Sequence, residues 1–271
     1  MAQLDVMGWV LLACLGLIGG LLGGLAGVGG SMLFLPGLHW LMGSEPPDTH
    51  HVYIATAFVT NLAVAVPSAL RHRARGAVRR DLLPTLAAAT LAAVVCGVLL
   101  GTLINGQRLR LLLAGFIACY CLYNTRRLLS ASQRAADTAA QTDRRAVPRR
   151  VLAGIGVVSG LVAGLLGLGG GVLLVPLLQT LGRVPLRQSI ATSSWVICLT
   201  AGFAAVVKLS SLPARGLSVR EALAIAAVLL PGAVVGSRLG ARLTHELPVA
   251  WVRGVITVVL LGAAGKLIGA W

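Results

Sequence analysis

The chain has 271 residues, 57% of them hydrophobic and only 11% charged, with a mean hydropathy of +0.88. That balance sets the class as an all-α, polytopic membrane protein. The formal net charge of +15 does not argue for nucleic acid, because no zinc-finger, recognition-helix or RNA-binding signature accompanies it, and Lys and Arg gather in cytoplasmic loops of membrane proteins.

Met7 to Val28 is predicted as the first span. No Asp, Glu, Lys or Arg falls between Val6 and Ser44, and about 20 apolar residues cross a bilayer. The run is too long, and lacks the basic start, of a secretory signal. It closes on Gly27, Gly29 and Gly30, which hold a helix poorly. Ser31 to Met42 follows, ending before the acidic loop Gly43–His50. At ~1.5 Å per residue it is too short to cross, so a half-helix or re-entrant segment is expected.

His51 to Leu70 is the next predicted span. Arg71, Arg73, Arg75, Arg79 and Arg80 then crowd one loop, and spans follow at Leu82–Ile104 and Leu111–Tyr123. The polar stretch Ser130–Arg150 reads as a linker between a first unit, residues 1–129, and a second, residues 151–271. The second unit reads as spans at Val151–Leu168, Ser189–Val207, Ala222–Leu243 and Val249–Ile268, with a half-helix at Gly171–Leu181.

The second unit copies the first. Pro36 and Pro176 stand 140 apart, and the same offset pairs Gly20, Gly24, Gly27, Gly29 and Gly30 with Gly160, Gly164, Gly167, Gly169 and Gly170. Ile54-Ala55-Thr56 matches Ile190-Ala191-Thr192, Ala74-Arg75-Gly76 matches Ala214-Arg215-Gly216, and Gly97-x-x-x-Gly101 matches Gly236-x-x-x-Gly240. Matches in one order along the chain indicate an internal duplication. About eight spans are expected, in two four-span repeats, each with a glycine-broken half-helix. An even number of spans makes the repeats parallel and both termini cytoplasmic. The basic loops Arg71–Arg80, Arg126–Arg150 and Lys208–Arg220 are expected inside, and the loop Glu45–Asp48 outside.

A doubled G-x-G-G-[GS]-x-x-x-x-P cluster closing an apolar helix, with an I-A-T motif after each copy, resembles the sulfite-exporter (TauE/SafE-type) permease family. The basic R-G loop and the G-x-x-x-G ahead of the last span fit the same pattern. The resemblance covers essentially the whole chain. It implies a cell-membrane transporter of small anions, often sulfur-containing oxyanions or organosulfonates such as sulfite or sulfoacetate. The copies differ at Ser31, matched by Gly171, and at Asn61, matched by Ile197, so the two halves are not equivalent.

The chemistry of anion binding agrees. A helix start carries unpaired N–H groups and about half a positive charge, and glycine lets an anion reach the backbone. Two converging starts make an anion site without a buried cation, which is costly at the bilayer centre. The candidate site is Gly29, Gly30 and Ser31 with Gly169, Gly170 and Gly171. Thr56, Thr60, Asn61, Thr192, Ser193 and Ser194 supply hydroxyl and amide groups. The alternative role of the glycines is close helix packing. Arg238, inside an apolar run, reads either as a charge partner for the anion or as a side chain reaching the interface. His39 reads either as a proton sensor or as a hydrogen-bonded neutral histidine, and His50 and His51 as a loop pair. The five cysteines lie in apolar runs without CxxC spacing, so no metal or other cofactor is expected.

Competing functions are an anion channel, which shares these features, and a non-transport membrane scaffold. An enzyme lacks its constellation: none of the eight carboxylates lies within an apolar run and H-E-x-x-H is absent. The expected partners are the lipid bilayer and a small anion. Without a carboxylate relay, outward anion movement driven by the membrane potential is expected, with proton coupling through Asp81 and Glu221 as the alternative.

Overall fold

The computed structural model of the protein describes residues 5–43, 46, 48–129, 146–169 and 171–246. The expected span Val249–Ile268, most of the linker, Glu45 and Gly170 lie outside the described residues. The described elements are helices: α1 (Val6–Ala26), α2 (Ser31–Met42), α3 (Thr49–Ala74), α4 (Leu83–Thr102), α5 (Gly106–Leu129), α6 (Arg149–Leu166), α7 (Gly171–Thr180), α8 (Leu186–Ser211) and α9 (Val219–Glu246). A short 3-10 turn, Pro213–Arg215, joins the last two.

Six of the described helices are long and apolar enough to cross a membrane: α1, α3, α4, α6, α8 with the turn after it, and α9. The helix α5, which carries the expected span Leu111–Tyr123, is not among them; Arg108, Arg110, Arg126 and Arg127 lie within its bounds. Large apolar side chains such as Leu17, Ile18, Leu99, Leu100, Phe203 and Leu239 lie exposed. So much bare apolar surface suits lipid as the solvent.

Both expected breaks are present. The first helix starts at Asp5, whose carboxylate accepts the Gly8 N–H at 2.9 Å. It stops at Gly27, which has φ 64° and returns its N–H to the Gly23 carbonyl. The helix α6 stops in the same way at Gly167, with φ 76° and its N–H on the Ala163 carbonyl. A left-handed residue ends a helix, and glycine adopts that conformation without a Cβ penalty.

After each break the chain turns back along the helix it has left. A Cβ at Gly37 would meet the Leu15 side chain, and one at Gly19 would meet the Phe34 ring, so α2 runs antiparallel to α1. Leu152 and Ile155 of α6 pack with Leu174 and Leu178 of α7, so α7 reverses along α6.

The first helix of each unit packs on the fourth-position helix of the other. Gly16, Gly20 and Gly24 of α1 face the backbone of Leu229, Ala233 and Ser237 in α9. Gly156, Gly160 and Gly164 of α6 face Thr90 and Val94 of α4. A Cβ at any of these six glycines would collide with the partner helix. Both pairs run parallel. Between them lie α3 and α8, the most enclosed spans: 72% of the apolar window of α3 is buried, against 33% for α4.

The central helices run in opposite directions. Lys208 near the end of α8 meets His51 at the start of α3, while Ser194 near the start of α8 meets Ser68 near the end of α3. The two I-A-T motifs therefore sit on antiparallel helices, which corrects the expected parallel arrangement. It also corrects the loop assignment. Arg215 Nη1 lies 3.6 Å from Asp48 Oδ1, so the Lys208–Arg220 loop and Asp48 share one end of the molecule. Arg79 and the start of α8 mark the other end. The physical reason is the turn at each break: α1 with α2 enters and leaves from one end, so the pair makes no net crossing.

Candidate functional site

The site is built where the two breaks meet. The hairpin α1–α2 enters from the Asp48 end and α6–α7 from the Arg79 end. They touch beside the middle of α3 and α8. A Cβ at Gly171 would lie 2.6 Å from the Gly27 carbonyl oxygen and 2.7 Å from the Val28 Cα. Ile190 packs on Gly27, and Ile54 packs on Gly167. Each I-A-T isoleucine thus closes on the break of the other unit.

Asn61 stands between the breaks. Its Oδ1 accepts the Ser31 N–H at 3.1 Å, at the start of α2. Its side chain also lies against Gly29 and Gly169, likewise left-handed at φ 78° and 70°: a Cβ would be 2.9 Å from Oδ1 at Gly29 and 2.6 Å from Nδ2 at Gly169. Asn61 Nδ2 and Ser31 Oγ are buried with no hydrogen-bond partner among the described residues. Buried polar atoms of this kind cost stability unless a ligand or water meets them.

Two hydroxyls from α8 reach the breaks. Ser193 Oγ donates to the Gly27 carbonyl at 2.7 Å. Thr200 Oγ1 lies 3.3 Å from the Gly169 carbonyl. The sequence reading missed Thr200. The available signal was its spacing, two helical turns after Ser193 on one face of α8.

Of the remaining candidates, Gly30 precedes α2 and is buried against the Phe34 ring, and Gly170 lies outside the described residues. The structure engages several others elsewhere. Thr56 Oγ1 bonds the Val52 and Ala222 carbonyls, at 3.0 and 3.1 Å, and Thr60 Oγ1 bonds the Thr56 carbonyl at 2.8 Å. Thr192 Oγ1 accepts the Arg79 N–H at 3.2 Å. Ser194 Oγ pairs with Ser68 Oγ at 3.3 Å. Arg238 is exposed on α9. Thr56 and Thr192 thus tie the two units together, each reaching the stretch that opens the other unit's fourth-position helix.

Among the described residues, the side chains meeting the breaks include Asn61, Ser193, Thr200, Phe34 and isoleucines. A shallow apolar pocket opens on the first break, against Gly29, Gly30 and Met32. Among the described residues no group of three or more His, Cys, Asp or Glu could hold a metal ion. At the Arg79 end, Asp81 takes two hydrogen bonds from the Arg79 guanidinium, at 2.8 and 2.6 Å. Those bonds raise the guanidinium's pKa above its ordinary value.

A family model described as sulfite exporter TauE/SafE matches residues 12–267. A probable membrane transporter protein MamO of Paramagnetospirillum magneticum is 27% identical over 97% of this chain, and its counterpart in Magnetospirillum gryphiswaldense is 29% identical over the same share. The chain spans 44% and 45% of the length of those two relatives. A probable membrane transporter protein of Haemophilus influenzae is 27% identical, over 94% of this chain and 96% of its own length. No solved structure matches the chain.

Proposed function

The chain belongs to the sulfite exporter TauE/SafE family of membrane transporters, and we propose that it carries small sulfur-containing oxyanions or organosulfonates, such as sulfite or sulfoacetate, through the centre where its two breaks meet. The observation that carries this reading is the apposition of two half-helix starts beside Asn61, with no acidic side chain among the contacts that the described residues make at the breaks. Backbone N–H groups and the helix dipoles favour an anion there. Asn61 Oδ1 holds the Ser31 N–H in the closed centre, as an oxyanion oxygen would in the loaded one. Ser31 Oγ and Asn61 Nδ2 are donors ready for further oxygens.

The antiparallel central helices favour two inverted repeats around this centre, a plan suited to alternating access. Each hairpin then forms one wall of the path to one side. The excess of Arg around the Arg79 end favours a cytoplasmic position for that end in the cell membrane, which puts Asp48 outside. The exchanged packing of α1 on α9 and α6 on α4 supports one transport unit rather than two independent domains.

Proteoliposomes test the reading with a panel of sulfite, thiosulfate, sulfoacetate and chloride. Saturable flux with counterflow of one sulfur anion is expected. Linear, non-saturating flux would assign a channel instead. Absence of flux for every sulfur anion, from protein that is folded and inserted, overturns the proposal.

A further inference from the structure

Far from the breaks, the Asp48 end holds a cluster of buried basic groups that the anion centre does not use. His39 near the end of α2 lies 2.7 Å from His50 of α3, Nε2 to Nδ1, with the rings stacked at 5.0 Å. Tyr53 meets the His39 ring edge-on and donates to the Gly43 carbonyl at 3.0 Å. Beside this pair, Lys208 Nζ of α8 lies 2.8 Å from His51 Nδ1, and His51 Nε2 lies 3.2 Å from the Ile104 carbonyl. His50, His51 and Lys208 are each 2% exposed or less.

These contacts have a defined proton logic. When Lys208 is an ammonium it donates to His51 Nδ1, and the His51 Nε2–H donates to Ile104. The His39–His50 contact needs one N–H and one lone pair, so the pair shares a single proton across 2.7 Å. His50 Nε2 is buried with no hydrogen-bond partner among the described residues. With His50 Nδ1–H donating to His39 Nε2, the His50 Nε2 lone pair is the open position on the pair. Uptake of one proton there makes the pair cationic with no bond broken.

The surroundings decide what that charge does. The facing groups are Arg110 from α5, Lys208 from α8, Arg215 from the 3-10 turn, and Asp48 just ahead of α3; Glu221 of α9 faces Tyr53. Asp48 is already shared between Arg215 at 3.6 Å and His51 at 3.9 Å. A further positive charge in a buried, mainly basic cluster favours any arrangement that admits water or an anion. The helices that would part are α2, α3 and α8. They also carry Ser31, Asn61, Ser193 and Thr200 at the breaks.

We propose that the His39–His50 pair, set beside the His51–Lys208 pair, is a proton-binding site that opens the Asp48 end of the transport path, so that anion passage is linked to proton uptake there. Its consequence rests on the transport reading above; its proton chemistry does not.

Two measurements test it. In the first, thiosulfate flux is followed in proteoliposomes at zero membrane potential while the pH on the Asp48 side is stepped between about 7.5 and about 3.5, a span that reaches below the ordinary histidine range because the pair is buried among basic groups. The parent protein is expected to change rate by up to ~tenfold per pH unit over part of that span, as a single-proton step requires. His50→Gln is expected to flatten the profile while still carrying thiosulfate. Profiles that coincide for parent and variant overturn the proposal. In the second, the histidine side chains are titrated by nitrogen-15 NMR in detergent. Coupled titration of His39 and His50, lost for His39 in the His50→Gln variant, is expected. Independent titration of the two rings, or none in this span, overturns the proposal. An absence of thiosulfate flux at every pH counts against thiosulfate transport, and the NMR result then decides the proton site alone.

Discussion

Asn61 accepts the backbone N–H of Ser31 at 3.1 Å across a gap of thirty residues in sequence. The bond ties the start of α2 to the middle of α3. The same side chain lies against Gly169 of the opposite break. One amide therefore touches both halves of the proposed anion centre.

Replacing it separates binding from folding. Asn61→Ala leaves the Ser31 N–H buried and unsatisfied, a cost of about 1–3 kcal/mol. A lowered thermal midpoint is expected, with anion flux still measurable. Asn61→Asp keeps an acceptor for Ser31 but adds a negative charge where the anion must sit. Near-complete loss of flux is expected from protein of roughly parental stability. Normal flux in the Asp variant would exclude the centre as the anion site.

Thr56 and Thr192 are expected to act on stability rather than on affinity. Each bridges the two units through one hydroxyl, to Ala222 and to Arg79. Thr56→Ala and Thr192→Ala should each cost about 1 kcal/mol, the net worth of one hydrogen bond. Thermal unfolding in detergent reads that loss, while the half-saturating anion concentration should stay put. A raised half-saturating concentration with unchanged stability would return these threonines to the anion centre.

The glycine faces make a steric prediction with a built-in control. A Cβ at Gly20 or Gly160 would run into the backbone carbonyl of Ala233 or Thr90. Backbone cannot swing aside as a side chain end can, so Gly20→Leu and Gly160→Leu are expected to cost at least the ~1–3 kcal/mol of overpacking. Gly154 lies on α6 with nothing within 4 Å of a new Cβ. Gly154→Ala should therefore be neutral or stabilising, by up to about 1 kcal/mol. Size-exclusion profiles of fluorescent fusions rank the three variants. Monodisperse Gly20→Leu protein at parental yield contradicts the packing.

Topology is checked with single cysteines on a cysteine-free background. Asp48→Cys and Arg215→Cys should react with an impermeant reagent from the same side of the membrane, because the parent side chains lie 3.6 Å apart. Arg75→Cys should react from the opposite side. Labelling of positions 48 and 215 from opposite sides contradicts the antiparallel arrangement of α3 and α8.

Much of this was legible in the chain itself. The glycine clusters placed both breaks, because a left-handed helix end is a local event and glycine adopts it freely. The run lengths placed α2 and α7 as short helices. The doubled motifs and hydropathy pointed to a family of membrane transporters. What the sequence could not decide was direction. Whether the chain after a break goes on across the bilayer or turns back depends on packing between residues far from the break, such as Phe34 against Gly19 and Leu15 against Gly37. A span count read from hydropathy treats α1 and α2 as a crossing and a remnant, and so makes the repeats parallel. The partners of the polar side chains were hidden for the same reason. Thr56 and Asn61 lie five residues apart on one helix, yet one reaches Ala222 and the other Ser31. His51 and Lys208 stand 157 residues apart and meet only because α3 and α8 run in opposite directions. Local conformation follows from nearby residues, whereas partnership across the fold follows from which helix faces close on each other, and the tertiary structure alone supplies that.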